Sequence, residues 1–236
     1  MRVLVTRPAA EADSLAAVLR RLGHEPILCP LLDIRRLQPA IDLTGVQALL
    51  FSSGAGIRAF AEINPERALP ALTVGEASAE IARLLGFRAV ASADGDSAAL
   101  AALAIARLDP KRGAVLHASG VDIAGDAGGT LSARGFDYRR VIVYEATPAK
   151  AISPTAEGAV RAGAFEAVLF FSPRTVDTFV SLVNKAGLAD RCRAATAFCL
   201  SAAVAAAAAT LPWRSVRAAP TPDQPALLAL LAAQDR

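Results

Sequence analysis

The chain has 236 residues, of which 54% are hydrophobic and 20% are charged, so it can bury a core and is not a disordered tail. Its 25 basic and 22 acidic residues give a net charge of +3, which is too small to indicate a nucleic-acid-binding surface. No apolar run reaches the roughly 18 to 20 residues of a membrane span, and the N-terminus carries no secretory signal. We therefore expect a cytoplasmic protein with no nucleic-acid or membrane partner.

Short apolar runs alternate with alanine-rich helical stretches along the chain. The clearest helix is EADSLAAVLRRLG, where Leu15, Val18, Leu19 and Leu22 fall on one face and Gly23 ends the helix. Such alternation is typical of parallel sheets flanked by helices. The predicted strands, in chain order, are RVLVT, PILCP, ALLFS, ALTVG, FRAVA, AVLHA, VIVY, AVLFF, TAFCL and VRAA.

Two segments of the sequence occur twice, in the order A-B-A-B. Repeat A begins as VLVTRP at Val3 and returns as VLHASG at Val115, an offset of 112 residues that holds along the repeat. Repeat B begins as ALLFSSGAGIRAF and returns as AVLFFSPRTVDTF, with Ser53 matching Ser172. This duplication predicts two lobes of similar architecture.

The stretches LLDIRRLQPAIDL and VIVYEATPAKAISP are extended, contain proline and lack a helical pattern, so we interpret them as connectors. The predicted fold is α/β, with two similar lobes that each carry a parallel sheet flanked by helices, a two-stranded connector, and one discontinuous lobe. The discontinuous lobe covers 1–34 and 149–236, the inserted lobe covers 42–140, and the connectors cover 35–41 and 141–148. Two adjacent connectors would form a hinge, with a cleft between the lobes.

Most predicted strands end in a turn of small, hydroxyl-bearing or glycine residues. At such strand ends the next helix offers free backbone N–H groups and a partial positive charge, which suit carboxylates or phosphates. For any single serine or threonine, an ordinary helix N-cap is the alternative. The candidate binding residues are Thr6, Arg7, Ser53, Gly54, Gly75, Ser119, Gly120, Ser172, Pro173 and Ser201.

The three cysteines indicate structural thiols. Cys29, Cys192 and Cys199 form no C-x-x-C pair, and only His24 and His117 could join them as soft ligands. We expect no metal site and three buried, reduced thiols.

Groups that could perform acid–base chemistry are few. GAGIRA with Glu76 downstream satisfies the dinucleotide-binding pattern, but the matching SPRTVDTF has no glycine, which favours a hydroxyl corner instead. His117 could be an acid, although its repeat partner Val5 favours a structural strand position. Tyr144, in VIVYEA near the predicted cleft, could donate a proton; a buried tyrosine with a satisfied hydroxyl is the alternative.

In their joint order, VLVTRP, LGHEPILCPLLDI, ALLFSSGAGIRAF, LTVGEASAEIARLLGF, VLHASG, VIVYEA, AVLFFSPRTVDTF and AAPTPDQPALLALL resemble the uroporphyrinogen-III synthase family. The resemblance implies a two-lobed α/β enzyme that needs no cofactor. Its reaction would convert hydroxymethylbilane, a linear tetrapyrrole polyanion, to uroporphyrinogen III with loss of water and inversion of ring D. The resemblance places Tyr144 at the family's tyrosine, which would assist departure of the hydroxyl group. It directs toward the cleft Thr6, Arg7, Ser53, Ser119, Gly120, Ser172 and Ser201.

Two other functions stay open on the sequence alone. The first is a non-catalytic, two-lobed binding module or sensor for a small anionic ligand. The second is a nicotinamide-dependent enzyme that uses GAGIRA. In each case we expect a monomer, because the sequence shows no feature that requires an oligomer.

Overall fold

A computed structural model describes residues 1–234 of the chain, in which strands and helices are numbered in chain order. The chain divides into two compact units. Met1–Asp33 and the chain from Thr147 onward form one of them, which we call the split unit. Ile34–Ala146 forms the other, the central unit. Each unit has its own sheet and its own buried core.

The split unit alternates strands and helices. Its strands are β1 (Arg2–Val5), β2 (Glu25–Leu28), β9 (Ala167–Phe170), β10 (Thr196–Cys199) and β11 (Ser215–Ala218). Its helices are α1 (Ala9–Arg21), α6 (Pro154–Arg161), α7 (Pro173–Lys185), α8 (Ala202–Ala208) and α9 (Gln224–Ala232), with a 3-10 turn at Ala189–Ala194. Within the described residues, these strands form one sheet in the order β11-β10-β9-β1-β2, with parallel pairing throughout.

The sheet of the split unit is buried on both faces because side chains alternate along each strand. Val3 and Val5 of β1 pack on one face against Leu19 of α1. Leu4, between them, belongs to the cluster on the opposite face, together with Phe179 of α7. Continuous apolar strands such as RVLVT therefore fill both layers of the core.

Helix α1 follows the predicted periodicity for most of its length. Leu15 and Leu19 are buried and Val18 is half-buried, as the spacing predicts. The prediction is wrong for Leu22, which is 49% exposed. The helix ends just before Leu22, and Gly23 adopts a φ of +82°, so the chain turns away from the helical path there.

The central unit repeats this alternation. Its strands are β3 (Leu32–Arg36), β4 (Val46–Phe51), β5 (Ala71–Thr73), β6 (Val90–Ser92), β7 (Ala114–Gly120) and β8 (Tyr138–Pro148). Its helices are α2 (Gly54–Ile63), α3 (Glu76–Leu84), α4 (Ser97–Arg107) and α5 (Ala127–Ser132). The sheet order is β3-β8-β7-β4-β5-β6, and β8 through β6 pair in parallel.

The two sheets share one strand order once the repeats are matched. Repeat A supplies β1 and β2 to the split unit and β7 and β8 to the central unit. Repeat B supplies β9, β10 and β11 to the first and β4, β5 and β6 to the second. The order β2-β1-β9-β10-β11 therefore matches β8-β7-β4-β5-β6. The predicted fold class is confirmed, with the addition that β3 makes the central sheet mixed.

Candidate active site

Each sheet has one switch point, a pair of adjacent strands from which the chain continues toward opposite sides. In the split unit this pair is β1 and β9, and in the central unit it is β7 and β4. Arg7 and Ser172 follow the first pair, whereas Gly120 ends β7 and Ser53 follows β4. In open α/β sheets, ligands bind beyond the carboxyl ends of the strands at such a point. Most of the predicted site residues lie at these two switch points.

Three predicted serines are helix N-caps. The Oγ of Ser53 accepts a hydrogen bond from the backbone N–H of Gly56 at 3.1 Å. Ser172 accepts one from Thr175 at 3.2 Å, and Ser201 caps α8 at 3.4 Å. A capping hydroxyl uses a lone pair in this bond and keeps its own hydrogen to donate. Capping is therefore compatible with binding an anion at the same corner.

Two predicted hydroxyls are occupied inside their own units. Thr6 is fully buried, and its hydroxyl donates to the Leu169 carbonyl at 2.6 Å. Ser119 is also fully buried; its Oγ accepts from Arg140 Nε at 2.8 Å and donates to the Gly120 carbonyl at 3.2 Å. The sequence predicted a turn at Ser119, but β7 continues through Gly120 because it pairs with β8 there.

The remaining small residues begin helices. Gly54 is the first residue of α2 and Pro173 is the first residue of α7. Proline suits that position because its missing N–H would have no partner within the helix. Gly75 is the N-cap of α3, and a Cβ added there would have no heavy atom of a non-adjacent residue within 4 Å. Pro173 is exposed and Gly75 half-buried, so backbone at these two corners is accessible to a ligand, whereas Gly54 is buried.

Arg7 brings a positive charge to the switch point of the split unit. Its guanidinium carbon lies 4.1 Å from the centre of the Phe171 ring, and its Nη1 lies 3.1 Å from a carboxylate oxygen of Glu11. Burial lowers the pKa of Arg7, while Glu11 acts in the opposite direction. Its Nε is buried and has no hydrogen-bond partner among the described residues. Glu11 is bonded to Nη1 only, so Arg7 retains other N–H donors on its guanidinium for an anionic group.

Tyr144 reaches the switch point of the central unit across a glycine. Its phenolic oxygen lies 2.9 Å from Ser53 Oγ, so the two hydroxyls form a hydrogen bond. A Cβ added to Gly120 would lie 2.6 Å from Cζ of the Tyr144 ring. Glycine at this position therefore lets the ring cross β7 and places the phenol beside the N-cap of α2.

A second hydrogen-bonded chain lies on the opposite face of the same sheet. His117 Nε2 lies 2.9 Å from Ser52 Oγ, and His117 Nδ1 lies 2.7 Å from the hydroxyl of Tyr138. Burial lowers the pKa of His117 to about 4, and the charge of Arg140 acts in the same direction. Burial also raises the pKa of Tyr138. The imidazole is therefore neutral and the phenol protonated near pH 7.

The sequence considered His117 singly and missed this chain. Strand alternation provides one signal, because His117 and Ser119 lie on one face of β7 while Tyr138 and Arg140 share a face of β8. The pairing of His117 with Arg140 across the two strands completes the arrangement, and that register is a tertiary property.

The glycines of GAGIRA have a packing role. A Cβ added to Gly56 would lie 2.8 Å from the carbonyl oxygen of Ala118, so only glycine lets α2 approach β7 this closely. Ser53 caps the same helix. These contacts account for the motif without a pyrophosphate, in agreement with the hydroxyl-corner interpretation of this stretch.

The cysteines and the described helices offer few other functional features. Cys29, Cys192 and Cys199 are free and buried, and burial raises the pKa of each thiol to about 12. Across residues 1–234, no three or more His, Cys, Asp or Glu side chains are grouped to hold a metal ion. None of the helices in that part of the chain has the length and apolar character to cross a membrane.

A family model described as uroporphyrinogen-III synthase HemD matches residues 13–229, which is most of the chain. The chain belongs to the uroporphyrinogen-III synthase family. Its members are cofactor-independent cyclising lyases of tetrapyrrole biosynthesis, and this is the activity of the chain. The family model covers most of the permuted repeat, which begins at Val3.

Two solved structures of the family have a similar fold. Uroporphyrinogen-III synthetase from Helicobacter pylori is 17% identical with a TM-score of 0.63, over 99% of this chain and 100% of that one. A mutant uroporphyrinogen III synthase from the extremely thermophilic bacterium Thermus thermophilus is 19% identical with a TM-score of 0.56, over 100% of both chains. At these identities the likeness shows the shared fold. No curated protein matches the chain.

Proposed function

We propose that the chain cyclises hydroxymethylbilane with Tyr144 as the proton donor to the departing hydroxyl group. The observation that supports this role most directly is the 2.9 Å hydrogen bond between Tyr144 and Ser53 at the switch point of the central unit. Ser53 Oγ accepts from Gly56, so its own hydrogen is available to the phenolic oxygen. The phenolic hydrogen is then free to point toward the substrate.

The proposed first step is loss of water from the substrate. The phenol transfers its proton to the hydroxymethyl oxygen as the carbon–oxygen bond breaks, and the bonding pair leaves with the water. The resulting azafulvene cation is stabilised by the pyrrole nitrogen. Ser53 donates to the phenolate that Tyr144 becomes, which lowers the cost of proton transfer.

The second stage decides which isomer forms. The substituted carbon of ring D attacks the cation and gives a spiro intermediate, which fragments and closes again with ring D inverted. Ring D loses a proton when its aromaticity returns, and that proton balances the one supplied by Tyr144. The linear substrate also cyclises unaided to the non-inverted isomer. We therefore assign the protein mainly the task of orienting ring D.

Substrate carboxylates are proposed to bind at the strand-end corners. Each pyrrole carries an acetate and a propionate, so the substrate is a flexible polyanion. Arg7 supplies a charged donor, and the N-termini that follow Ser53, Gly75, Ser172 and Ser201 supply neutral ones. Gly54 and Pro173 shape two of these corners. Thr6, Ser119 and Gly120 are proposed to support them from within the strands.

Isomer analysis of the product tests this proposal. Purified protein given hydroxymethylbilane and no added cofactor is expected to yield uroporphyrinogen III. Formation of only the type I isomer, at the rate seen without protein, would contradict the proposal. A binding module or sensor would give that second result, so the same assay separates the two functions.

We also propose a cytoplasmic, monomeric protein that acts on a small molecule without a nucleic-acid partner. The three free cysteines, all buried, support a reducing compartment. Sedimentation of the purified chain would test the oligomeric state, and a second species at micromolar concentration would contradict it.

A further inference from the structure

Ser52 and Ser53 follow β4 directly, and each is linked to β8 on a different face of the sheet. Ser53 contacts Tyr144 directly. Ser52 reaches Tyr138 through the imidazole of His117, with distances of 2.9 and 2.7 Å. The first link belongs to the proposed proton donor, whereas the second has no part in the reaction derived above.

Counting protons restricts this second link to two arrangements. A neutral imidazole has one N–H and one acceptor nitrogen. If Tyr138 donates to Nδ1, then Nε2–H donates to Ser52, and the Ser52 hydrogen is left free. If instead Ser52 donates to Nε2, then Nδ1–H donates to Tyr138, and the phenolic hydrogen is left free. The two arrangements differ only in which hydroxyl can donate to a third group.

The surroundings of Ser52 favour an anionic third group. The half-exposed Ser52 lies at the carboxyl end of β4, immediately before the N-cap of α2. On the same face, Arg140 donates to Ser119 Oγ and to the carbonyls of Gly120 and Val121. These three acceptors are neutral oxygens, so they do not cancel the guanidinium charge. A carboxylate can only accept hydrogen bonds, so it selects the first arrangement, in which Nε2–H donates to Ser52 and the Ser52 hydrogen is free for the carboxylate.

We propose that Ser52 donates a hydrogen bond to a carboxylate of the tetrapyrrole substrate, and that His117 and Tyr138 are positioning residues that hold Ser52 as the donor. This inference rests on the proposed function and adds a contact at the same switch point. The tautomer of the His117 imidazole decides where the Ser52 hydrogen points. When Nε2 carries the proton, Ser52 presents its hydrogen outward; when Nδ1 carries it, Ser52 is turned inward.

Nitrogen-15 NMR of histidine-labelled protein tests the tautomer directly, because the chain contains only two histidines. The His24→Gln variant assigns the two spectra. With uroporphyrin III, the stable oxidised form of the product, we expect His117 to show a protonated Nε2 and an unprotonated Nδ1. In Tyr138→Phe the donor to Nδ1 is lost, so we expect the two tautomers to mix. A protonated Nδ1 in the wild-type complex would overturn the inference.

Steady-state kinetics test the contact itself. We expect Ser52→Ala to raise KM about tenfold, the effect of losing one hydrogen bond to a charged group, and to change kcat less than about twofold. Ser52→Thr keeps the hydroxyl and should restore most of the affinity. An unchanged KM in Ser52→Ala would overturn the inference.

These tests separate this inference from the proposed function. If wild-type protein forms uroporphyrinogen III but shows a protonated Nδ1 on His117, the proposed function stands and only the Ser52 contact is contradicted. If wild-type protein forms only the type I isomer, the proposed function is contradicted, and the Ser52 contact with the substrate is contradicted with it. Melting temperatures of the Ser52 and Tyr138 variants serve as the folding control, since a purely structural role would lower them without moving KM or the tautomer.

Discussion

The ring of Tyr144 lies directly over Gly120, which is its partner in the β7–β8 pairing. The distance of 2.6 Å from a hypothetical Cβ at Gly120 to Cζ is shorter than real carbon contacts allow. The placement of the phenol beside Ser53 thus depends on the absence of a side chain at Gly120. Gly120, which has no side chain, is therefore required for the position of the Tyr144 hydroxyl.

Gly120→Ala should therefore displace the Tyr144 ring and separate its hydroxyl from Ser53. We expect kcat to fall at least tenfold, with a loss of about 1 to 3 kcal/mol in the free energy of unfolding from overpacking. The matched control is Gly158→Ala in α6, where a Cβ would meet no heavy atom of its surroundings within 4 Å and stability should rise slightly. Assays of kcat and urea unfolding measure both effects. Unchanged turnover in Gly120→Ala would contradict the proposed geometry.

Tyr144→Phe should lower kcat about 100-fold, within the range for loss of a general acid. The free energy of unfolding should change less than the activation free energy, because the aromatic ring and its contact with Gly120 remain. Ser53→Ala should lower kcat about tenfold and cost about 1 kcal/mol as a lost N-cap. The double variant should lose less activity than the sum of the two free-energy changes, since the residues share one hydrogen bond.

The control for the capping part of this experiment is Asp223→Ala. Asp223 caps α9 through a 2.8 Å bond from Ala226 N–H and has no proposed role in the reaction. It should cost about as much stability as Ser53→Ala and leave kcat unchanged. Wild-type turnover in Tyr144→Phe would remove that tyrosine from its proposed role.

Arg7→Gln should weaken substrate binding with little change in kcat. Removing the guanidinium takes away a partly buried positive charge at a switch point, and we expect KM to rise about tenfold, which corresponds to about 1.4 kcal/mol. The matched control is Arg161→Gln, because Arg161 also pairs with a glutamate four residues away, here Glu157, but is more exposed. The control should leave KM unchanged and alter stability by less than about 0.5 kcal/mol. Equal KM values for both variants would argue against substrate binding by Arg7.

His117 predicts a pH dependence of stability. The group has a pKa of about 4 in the folded chain and an ordinary value of 6.5, so between these values the unfolded chain binds more protons. The contribution of His117 to the free energy of unfolding is therefore complete above pH 6.5. It amounts to up to about 3 kcal/mol and is lost as the pH falls through 4. Urea unfolding of His117→Gln should show a flatter pH profile over this window. His24→Gln is the control, and an equal flattening there would contradict the assignment.

Much of the fold could be predicted because local patterns and tertiary structure agree. Each predicted apolar run overlaps a strand, and the sequence repeat matches the strand order of both sheets. Strand β3 was interpreted only as an extended connector. Its Asp33 and Arg35 are exposed at the edge of the sheet, and charges on an edge strand remove the apolar signal that identifies a strand.

The site was harder to predict because its contacts depend on register. The sequence identified the corner at Ser53 and the tyrosine at Tyr144, but not the hydrogen bond that joins them. Nor could it show that the Thr6 and Ser119 hydroxyls are used inside the strands. Residue type and spacing locate the carboxyl edge of a sheet, whereas cross-strand pairing decides which groups there remain free.

The interrupted path of the chain through the split unit imposes an order on synthesis. Strand β1 is made first, yet its neighbour β9 pairs Ala167 with Val3 and emerges from the ribosome only after the whole central unit. The central unit is continuous and can complete its sheet beforehand. Until then β1 can pair only with β2, and Leu4 lacks the α7 face that buries it in the finished protein. The core of the split unit is therefore completed after that of the central unit, although the split unit is begun first.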